Sequence, residues 1–286
     1  MAQALYTYGW YFFLYAFLGW CGEVIFAARK GKFVNRGFLN GPVCPIYGAG
    51  IVLVTAVLAP VRDNVLWLYV GSAVLTSAVE LVTGFVMEKL FHHRWWDYSK
   101  QPLNIGGYIC LPFSLLWGVA CVAIVDGFHP LIERFVRWIP HTLGWVLLAV
   151  FAGAFLADCI VTVLTVAKLN RRLARIDEAA KRLRAVSDNL GAGLAEGAIP
   201  LWKKGEALHE EGEQRLEKGR ERLAQEKAKL EQLQKEKLGL SERRLLKAFP
   251  EMRSLRHKEA LESLKKELSV RRPSRRGKKD DADKTA

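Results

Sequence analysis

Five long apolar stretches occupy the first 168 residues of this chain, and a highly charged segment follows them. A helix needs about 20 apolar residues to cross the roughly 30 Å hydrocarbon core of a bilayer. In lipid every backbone polar group must be paired within its own segment, which a helix achieves. The sequence therefore predicts an all-α, polytopic membrane helix bundle of about five spans. The stretches that reach this length are Tyr6–Ala28, Gly41–Val61, Val65–Phe91, Gly106–Phe128 and Leu143–Ala167.

The distribution of charge predicts how the bundle is oriented. Residues 1–168 carry a net charge of +3, which leaves +10 of the chain's total of +13 for residues 169–286. The first and third loops are the more basic ones, with Arg29, Lys30, Lys32 and Arg36 in the first and Lys89, Arg94 and Lys100 in the third. Because Lys and Arg concentrate on the cytoplasmic side of a membrane protein, we expect a multi-pass protein of the cell membrane. Its N-terminus lies outside and its C-terminal tail lies in the cytoplasm.

The chain divides into four regions on this reading. They are the transmembrane bundle (1–167), a cytoplasmic helical stalk (168–240), an amphipathic helix (241–270) and a disordered basic tail (271–286). Leucine or isoleucine recurs every seven residues in the stalk, at Leu169, Ile176, Leu183 and Leu190 and again at Leu216, Leu223 and Leu230. Such a seam between charged flanks is typical of a coiled coil. Three arrangements stay open. One is a coiled coil between chains, which would give a homo-oligomer through the tail, and another is an intramolecular hairpin folded at the Gly- and Pro-containing break. A single solvated helix is the third, which the apolar seam disfavours.

The amphipathic helix also allows two interpretations. Leu245, Leu246, Phe249 and Met252 give it an apolar face, whereas Arg and Lys dominate the other face. A helix of this kind binds the anionic inner leaflet of the lipid bilayer, or it docks onto the stalk. We expect no nucleic acid as a partner, because acidic residues interleave with the basic ones and aromatic stacking platforms are missing.

Several polar residues fall at the predicted cytoplasmic ends of the spans. An ionisable side chain in a span costs about 2.5–3.5 kcal/mol on insertion scales, so each one is a candidate functional residue. Glu80, Gly84 and Glu88 recur every four residues and therefore share one helix face. We expect a substrate-binding cluster for a polar headgroup, cation or small solute, formed by Glu23, Asn40, Glu80, Glu88, Trp96, Asp97 and Asn104.

A structural interpretation of the same residues stays open. The tandem tryptophans Trp95 and Trp96 suit the headgroup region of a membrane, and Arg94 can pair with Asp97. We expect no metal, because the spacing of the acidic and histidine residues here matches no strong ligand signature. The Gly- and Pro-rich segment from Gly37 to Gly50 is predicted to break the helix. It forms either a re-entrant lining of the acidic cluster or a simple kinked start to the second span.

At these residues the chain resembles the CmpB-like family of ABC-transporter permeases. The resemblance covers most of residues 6–165, and its motifs are Gly19-Trp20-x-x-Glu23, the Gly37–Gly50 stretch, Glu80-x-x-x-Gly84-x-x-x-Glu88, Trp95-Trp96-Asp97-Tyr98, Pro102, Asn104, Gly107-Tyr108-Ile109-Cys110-Leu111 and Ser114-x-x-Trp117-Gly118. It implies the membrane subunit of a transporter that is driven by a separate ATPase subunit. The chain itself lacks the GxxxxGK[ST] phosphate-binding loop, so we do not expect it to hydrolyse ATP.

Three functions therefore follow from the sequence. A permease subunit would pass a solute through the polar cluster at the inner-leaflet interface. A membrane-anchored scaffold would act through its coiled-coil tail, and a membrane-interface enzyme would use Glu80 or Glu88 as a base. We assign no catalytic residue, because no Ser/His/Asp or Cys/His arrangement is visible, and we expect no cofactor.

Overall fold

The computed structural model describes residues 1–29, 34–201 and 207–270. It is 79% helical, which confirms the predicted all-α class. The helices are α1 (Ala2–Ala28), α2 (Pro45–Val57), α3 (Val65–Phe91), α4 (Leu111–Val122), α5 (His129–Trp138), α6 (His141–Leu201), α7 (Ala207–Lys235), α8 (Leu240–Ala248) and α9 (Lys258–Val270). Two antiparallel pairs of two-residue strands join β1 (His93–Arg94) to β4 (Arg253–Ser254) and β2 (Asn104–Ile105) to β3 (Ile109–Cys110).

Four helical stretches among the described residues are long and apolar enough to cross a membrane. They are Ala2–Ala28, Val65–Phe91, Leu111–Trp138 and His141–Ala192. The third of these joins α4 to α5 through a wide π-helical turn, Ala123–Phe128. The remaining predicted span contains α2, which has 13 residues and is therefore about 20 Å long at 1.5 Å per residue. The expectation of about five spans is roughly consistent with this set.

The short α2 follows from the residues that precede it. Pro45 lies in the first turn of α2, where the missing N–H of proline costs nothing. The same ring disfavours helical backbone at the residue before it, and Cys44 is accordingly extended. The Gly- and Pro-rich stretch is thus non-helical as far as Cys44, and only its last six residues belong to a helix.

The chain forms two compact units. Of the described residues, those within Met1–Ala167 and Gly239–Leu255 form the first unit, and those within Lys168–Leu238 and from Arg256 to Val270 form the second. We call Gly239–Leu255 the docking segment, since it belongs to the first unit although it lies more than 70 residues beyond the rest of it in the sequence. The predicted single amphipathic helix over 241–270 is replaced by α8, β4 and α9. Pro250 explains the end of α8, because a helix stops at or before the residue that precedes a proline.

An aromatic face of α1 forms the core of the first unit. Tyr6, Trp10, Tyr11 and Tyr15 are buried together with apolar residues of the other helices. Large apolar side chains that point away from this core are exposed on α3 and α6, among them Val74, Val82, Val150 and Leu164. Exposed apolar side chains in this number suit a surface that lipid covers, since water-soluble proteins rarely expose contiguous apolar patches.

Two glycines let α1 and α2 approach closely. A Cβ atom on Gly48 would overlap the backbone oxygen of Phe12. A Cβ atom on Gly19 would overlap the ring of Tyr47. Small residues of this kind are what helix contacts in membranes use, and here they place the Tyr47 ring against α1, one turn before Glu23.

The second unit contains an antiparallel contact between α6 and α7. Arg172 is buried and donates to the backbone oxygens of Leu233 and Lys237 at 3.2 and 3.4 Å and to that of Glu236. These are carbonyls at the C-terminal end of α7, which lack helical partners. Further along, the Leu190 side chain occupies the space beside Gly219. These contacts support the intramolecular hairpin; residues 202–206, between α6 and α7, lie outside the described part. The predicted disordered tail, 271–286, also lies outside it.

The close approach at Gly48 predicts a position-specific effect on stability. We expect Gly48→Ala to lower the melting temperature of the detergent-purified protein, because the new Cβ meets backbone that cannot move and overpacking costs about 1–3 kcal/mol. Gly50→Ala is the matched control two residues away, with no atom within 4 Å of its Cβ. It should hold or raise the melting temperature, since Ala in a helix is favoured over Gly by about 1 kcal/mol. Equal melting temperatures for the two variants would contradict this packing.

Candidate functional site

One half-buried and one buried carboxylate, Glu23 and Glu80, lie at one end of the first unit and are linked through tyrosines. The hydroxyl of Tyr47 donates to Oε1 of Glu23 at 2.6 Å. The hydroxyl of Tyr98 hydrogen-bonds to Glu80, and Tyr98 interacts electrostatically with Glu23 and Tyr47 as well. Glu23 comes from α1, Tyr47 from α2 and Glu80 from α3, so three helices and the third loop meet here. We call Glu23, Tyr47, Glu80 and Tyr98 the acidic network.

The two carboxylates of the acidic network differ in their partners. Glu23 lies 3.4 Å from the guanidinium of Arg36. Glu80 is 9% exposed, and its Oε2 atom is buried without a hydrogen-bond partner in the part of the chain that is described. Burial raises the pKa of Tyr98, and the Glu80 carboxylate raises it further. The phenol therefore stays protonated and keeps donating to Glu80, while the second oxygen of Glu80 stays available.

A second cluster surrounds Asn40 in the non-helical segment. Oδ1 of Asp158 accepts from the backbone N–H of Asn40 at 3.0 Å and from its Nδ2 at 2.9 Å, and Oδ2 accepts from the N–H of Gly41 at 2.7 Å. Asn40 Nδ2 also donates to Thr162 at 3.1 Å. Cys44 donates its N–H to the backbone oxygen of Ala16 at 2.9 Å. The Asp158 carboxylate thus accepts hydrogen bonds from two backbone N–H groups, which have no helical partner because the chain is not helical here.

The docking segment adds an arginine to this cluster. Arg244 of α8 donates through Nε to Oδ1 of Asn40 at 3.1 Å, and through its two terminal nitrogens to the oxygens of Gly37 and Phe38 at 2.7 and 2.9 Å. Burial lowers the pKa of Arg244, whereas the nearby Asp158 carboxylate raises it. The side chain stays charged in either case, because arginine is not deprotonated in proteins. The guanidinium group of Arg244 therefore binds three acceptors in the segment before α2.

A third cluster pairs two carboxylates with two guanidiniums. Glu88 accepts from Nε of Arg94 at 2.7 Å, Arg94 lies 4.0 Å from Asp97, and Asp97 pairs with Arg253 at 2.9 Å. Strand pairing places Arg94 directly opposite Arg253. The hydroxyl and the N–H of Ser99 lower the pKa of Asp97, so this carboxylate stays ionised between its cationic partners.

The two remaining predicted residues fix the shape of the third loop. Trp96 donates its ring N–H to the backbone oxygen of Tyr108 at 2.8 Å. Asn104 donates to the oxygen of Gln101 at 2.9 Å and accepts from the N–H of Gly107 at 3.2 Å. The rings of Trp96 and Tyr108 pack over Gly84, where a Cβ atom would lie 3.0 and 2.9 Å from them. Gly84 is therefore the point at which the loop approaches α3.

The seven predicted residues fall into several groups rather than one. Glu23 and Glu80 share the acidic network, Glu88 and Asp97 share the arginine cluster, and Asn40 lies beside Asp158. The sequence analysis did not assign the residues that join them, namely Tyr47, Tyr98, Asp158, Arg244 and Arg253. Asp158 carried a signal, as an ionisable residue inside a span. In the described part of the chain, no three His, Cys, Asp or Glu side chains are placed to hold a metal ion.

The family of the chain can now be stated. A family model described as Putative ABC-transporter type IV matches residues 10–163, more than half of the 286 residues. The chain belongs to this family. The match confirms the resemblance and contains the whole acidic network as well as Asp158, whereas the docking segment lies beyond it. Comparisons with curated proteins and with solved structures found no match.

The three hydrogen bonds of Arg244 lead to a prediction about what holds the docking segment in place. We expect Arg244→Gln to speed amide hydrogen exchange in residues 34–44 and 239–255 by at least about tenfold. The reason is that a hydrogen bond to a charged group contributes about 1.5–3 kcal/mol and 1.4 kcal/mol is tenfold. Lys247→Gln removes the same charge from an exposed position of α8 and should leave the exchange unchanged. Wild-type exchange in Arg244→Gln would show that other contacts hold the segment.

Proposed function

We propose that this chain is the membrane-embedded permease subunit of a transporter, and that the acidic network lines the path of its solute. The observation that carries the proposal is the second oxygen of Glu80, which is buried and has no hydrogen-bond partner among the described residues. An unpaired buried polar atom costs free energy, and buried carboxylates in membrane proteins commonly mark solute and ion pathways. A solute that donates hydrogen bonds or carries positive charge would complete the pairing of Glu80.

In this proposal, the contacts of the docking segment keep the acidic network closed. Arg244 holds the backbone before α2, and Arg253 holds Asp97 in the third loop. Both belong to one segment, and both contact loops that flank the acidic network. We propose that the network opens when these polar contacts are exchanged for water or for a partner protein. The other five predicted binding residues then act chiefly by positioning these loops, although Glu88 and Asp97 could meet the solute once their arginines move.

The partners and the location follow from the same proposal. Since the chain has no phosphate-binding loop of its own, the energy for transport comes from a separate ATPase subunit that binds the cytoplasmic face. We place the acidic network at the inner leaflet of the cell membrane, with the N-terminus outside and the tail inside. Self-association through the helical tail stays a prediction, as does its coiled-coil character.

The ATPase partner and the role of Glu80 can be tested together. We expect the full chain, purified in mild detergent, to retain an ATPase that carries a phosphate-binding loop. In proteoliposomes, Glu80→Gln should lower the ATP hydrolysis of that complex at least tenfold, because the carboxylate that meets the solute is gone. Glu178→Gln, at an exposed position of α6, is the matched control and should hydrolyse ATP at the wild-type rate. Absence of an ATPase, or full activity of Glu80→Gln, would refute the proposal.

The proposed orientation makes a separate prediction. Asp63 in the second loop and Lys100 in the third loop are both exposed. In a background with the five native cysteines replaced, Asp63→Cys should react with a membrane-impermeant maleimide added to intact cells, and Lys100→Cys should react only after the cells are opened. The reverse pattern of labelling would move the acidic network to the outer leaflet.

A further inference from the structure

A cavity with charged side chains in its lining lies at the opposite end of the first unit from the acidic network. It has a volume of about 300 Å³, and its lining includes Tyr8, Tyr11, Arg62, His129 and Glu133. On α1 alone, Tyr11 is about 18 Å from Glu23 at 1.5 Å per residue, so the two sites share no residue. The sequence analysis assigned no function to these side chains.

The cavity presents one guanidinium and one carboxylate that are only loosely paired. Nη1 of Arg62 lies 3.7 Å from Oε1 of Glu133, and Nε2 of His129 lies 3.4 Å from the same oxygen. Arg137 approaches the other oxygen of Glu133 at 3.6 Å from outside the lining. Charged groups that hydrogen-bond to each other lie about 2.7–2.9 Å apart. Both charges can therefore accept a closer partner than the one they have.

Polar and aromatic groups fix the surroundings of this pair. Nη2 of Arg62 donates to the backbone oxygen of Val125 at 3.3 Å. The hydroxyl of Tyr15 and Nδ1 of the buried His129 share a hydrogen bond of 3.1 Å. The rings of Tyr8 and Tyr11 lie edge to face with their centroids 6.0 Å apart, and tyrosine faces attract ammonium groups. The guanidinium and imidazole are thus held in position before any ligand arrives.

We propose that this cavity binds a small zwitterionic solute of amino-acid size, with its carboxylate on Arg62 and its ammonium group on Glu133 and the tyrosine rings. A purely anionic ligand would meet Glu133 without compensation, and a purely cationic one would meet Arg62. A zwitterion replaces the loose pair by two close ones. The volume falls at the lower end of the range for small-molecule sites. The site stands independently of the transport role proposed above.

Isothermal titration calorimetry of the detergent-purified full chain tests the proposal with defined probes. Glycine, L-alanine and glycine betaine serve as zwitterions, and sodium acetate and methylammonium chloride carry the separate charges. We expect at least one zwitterion to bind at least tenfold more tightly than either single-charge probe. Absence of binding by all three zwitterions would overturn the proposal, as would equal affinity for acetate or methylammonium.

Variants then locate the binding. Arg62→Gln and Glu133→Gln should each weaken zwitterion binding at least tenfold, whereas Arg134→Gln, which removes an exposed charge next to Glu133 in the sequence, should bind normally. Ala59→Phe fills the cavity from an exposed lining position without altering a charge, so it should abolish binding even if the charge variants fail to fold. Normal binding by Ala59→Phe would place the ligand elsewhere and overturn the proposal.

Discussion

The carboxylate of Asp158 pairs with two backbone N–H groups in the non-helical segment before α2. Wherever the chain leaves a helix at membrane depth, its N–H groups need partners that lipid cannot supply. Asp158 supplies them to Asn40 and Gly41, and the non-helical segment can therefore run beside the helices. This pairing holds the segment that leads into α2, and α2 in turn carries Tyr47 to Glu23. The acidic network thus rests on a residue of α6 that lies outside it.

The two ends of the first unit use charge differently. At one end most charges are matched by close partners, with Arg94 on Glu88 and Arg253 on Asp97, and Glu80 stands out because one of its oxygens has no partner among the described residues. At the other end Arg62 and Glu133 line a cavity, and their closest charged atoms are 3.7 Å apart. Membrane proteins rarely keep such groups without a role, which is why both places carry a functional proposal.

The sequence was sufficient for the fold class and for the position of most helices, because apolar length and the requirement for paired backbone leave few alternatives. It also placed Glu80 and Glu88 on one face of α3. It could not give their partners: Tyr98 reaches Glu80 only because the third loop folds back over Gly84, and that fold depends on turn hydrogen bonds. Nothing in the sequence distinguished Arg244 from the other basic residues of the tail. It is one of 42 basic residues, and its acceptors are about 200 positions away in the chain.

That separation affects how the protein is made. Synthesis proceeds at about 5–20 residues per second, so roughly 10 to 40 s pass between the translation of Asn40 and that of Arg244. During this interval the segment before α2 lacks the guanidinium that binds its carbonyls in the folded protein. The polar contacts of the first unit are therefore complete only after α7 has been translated, although the residues that accept them are made before α3.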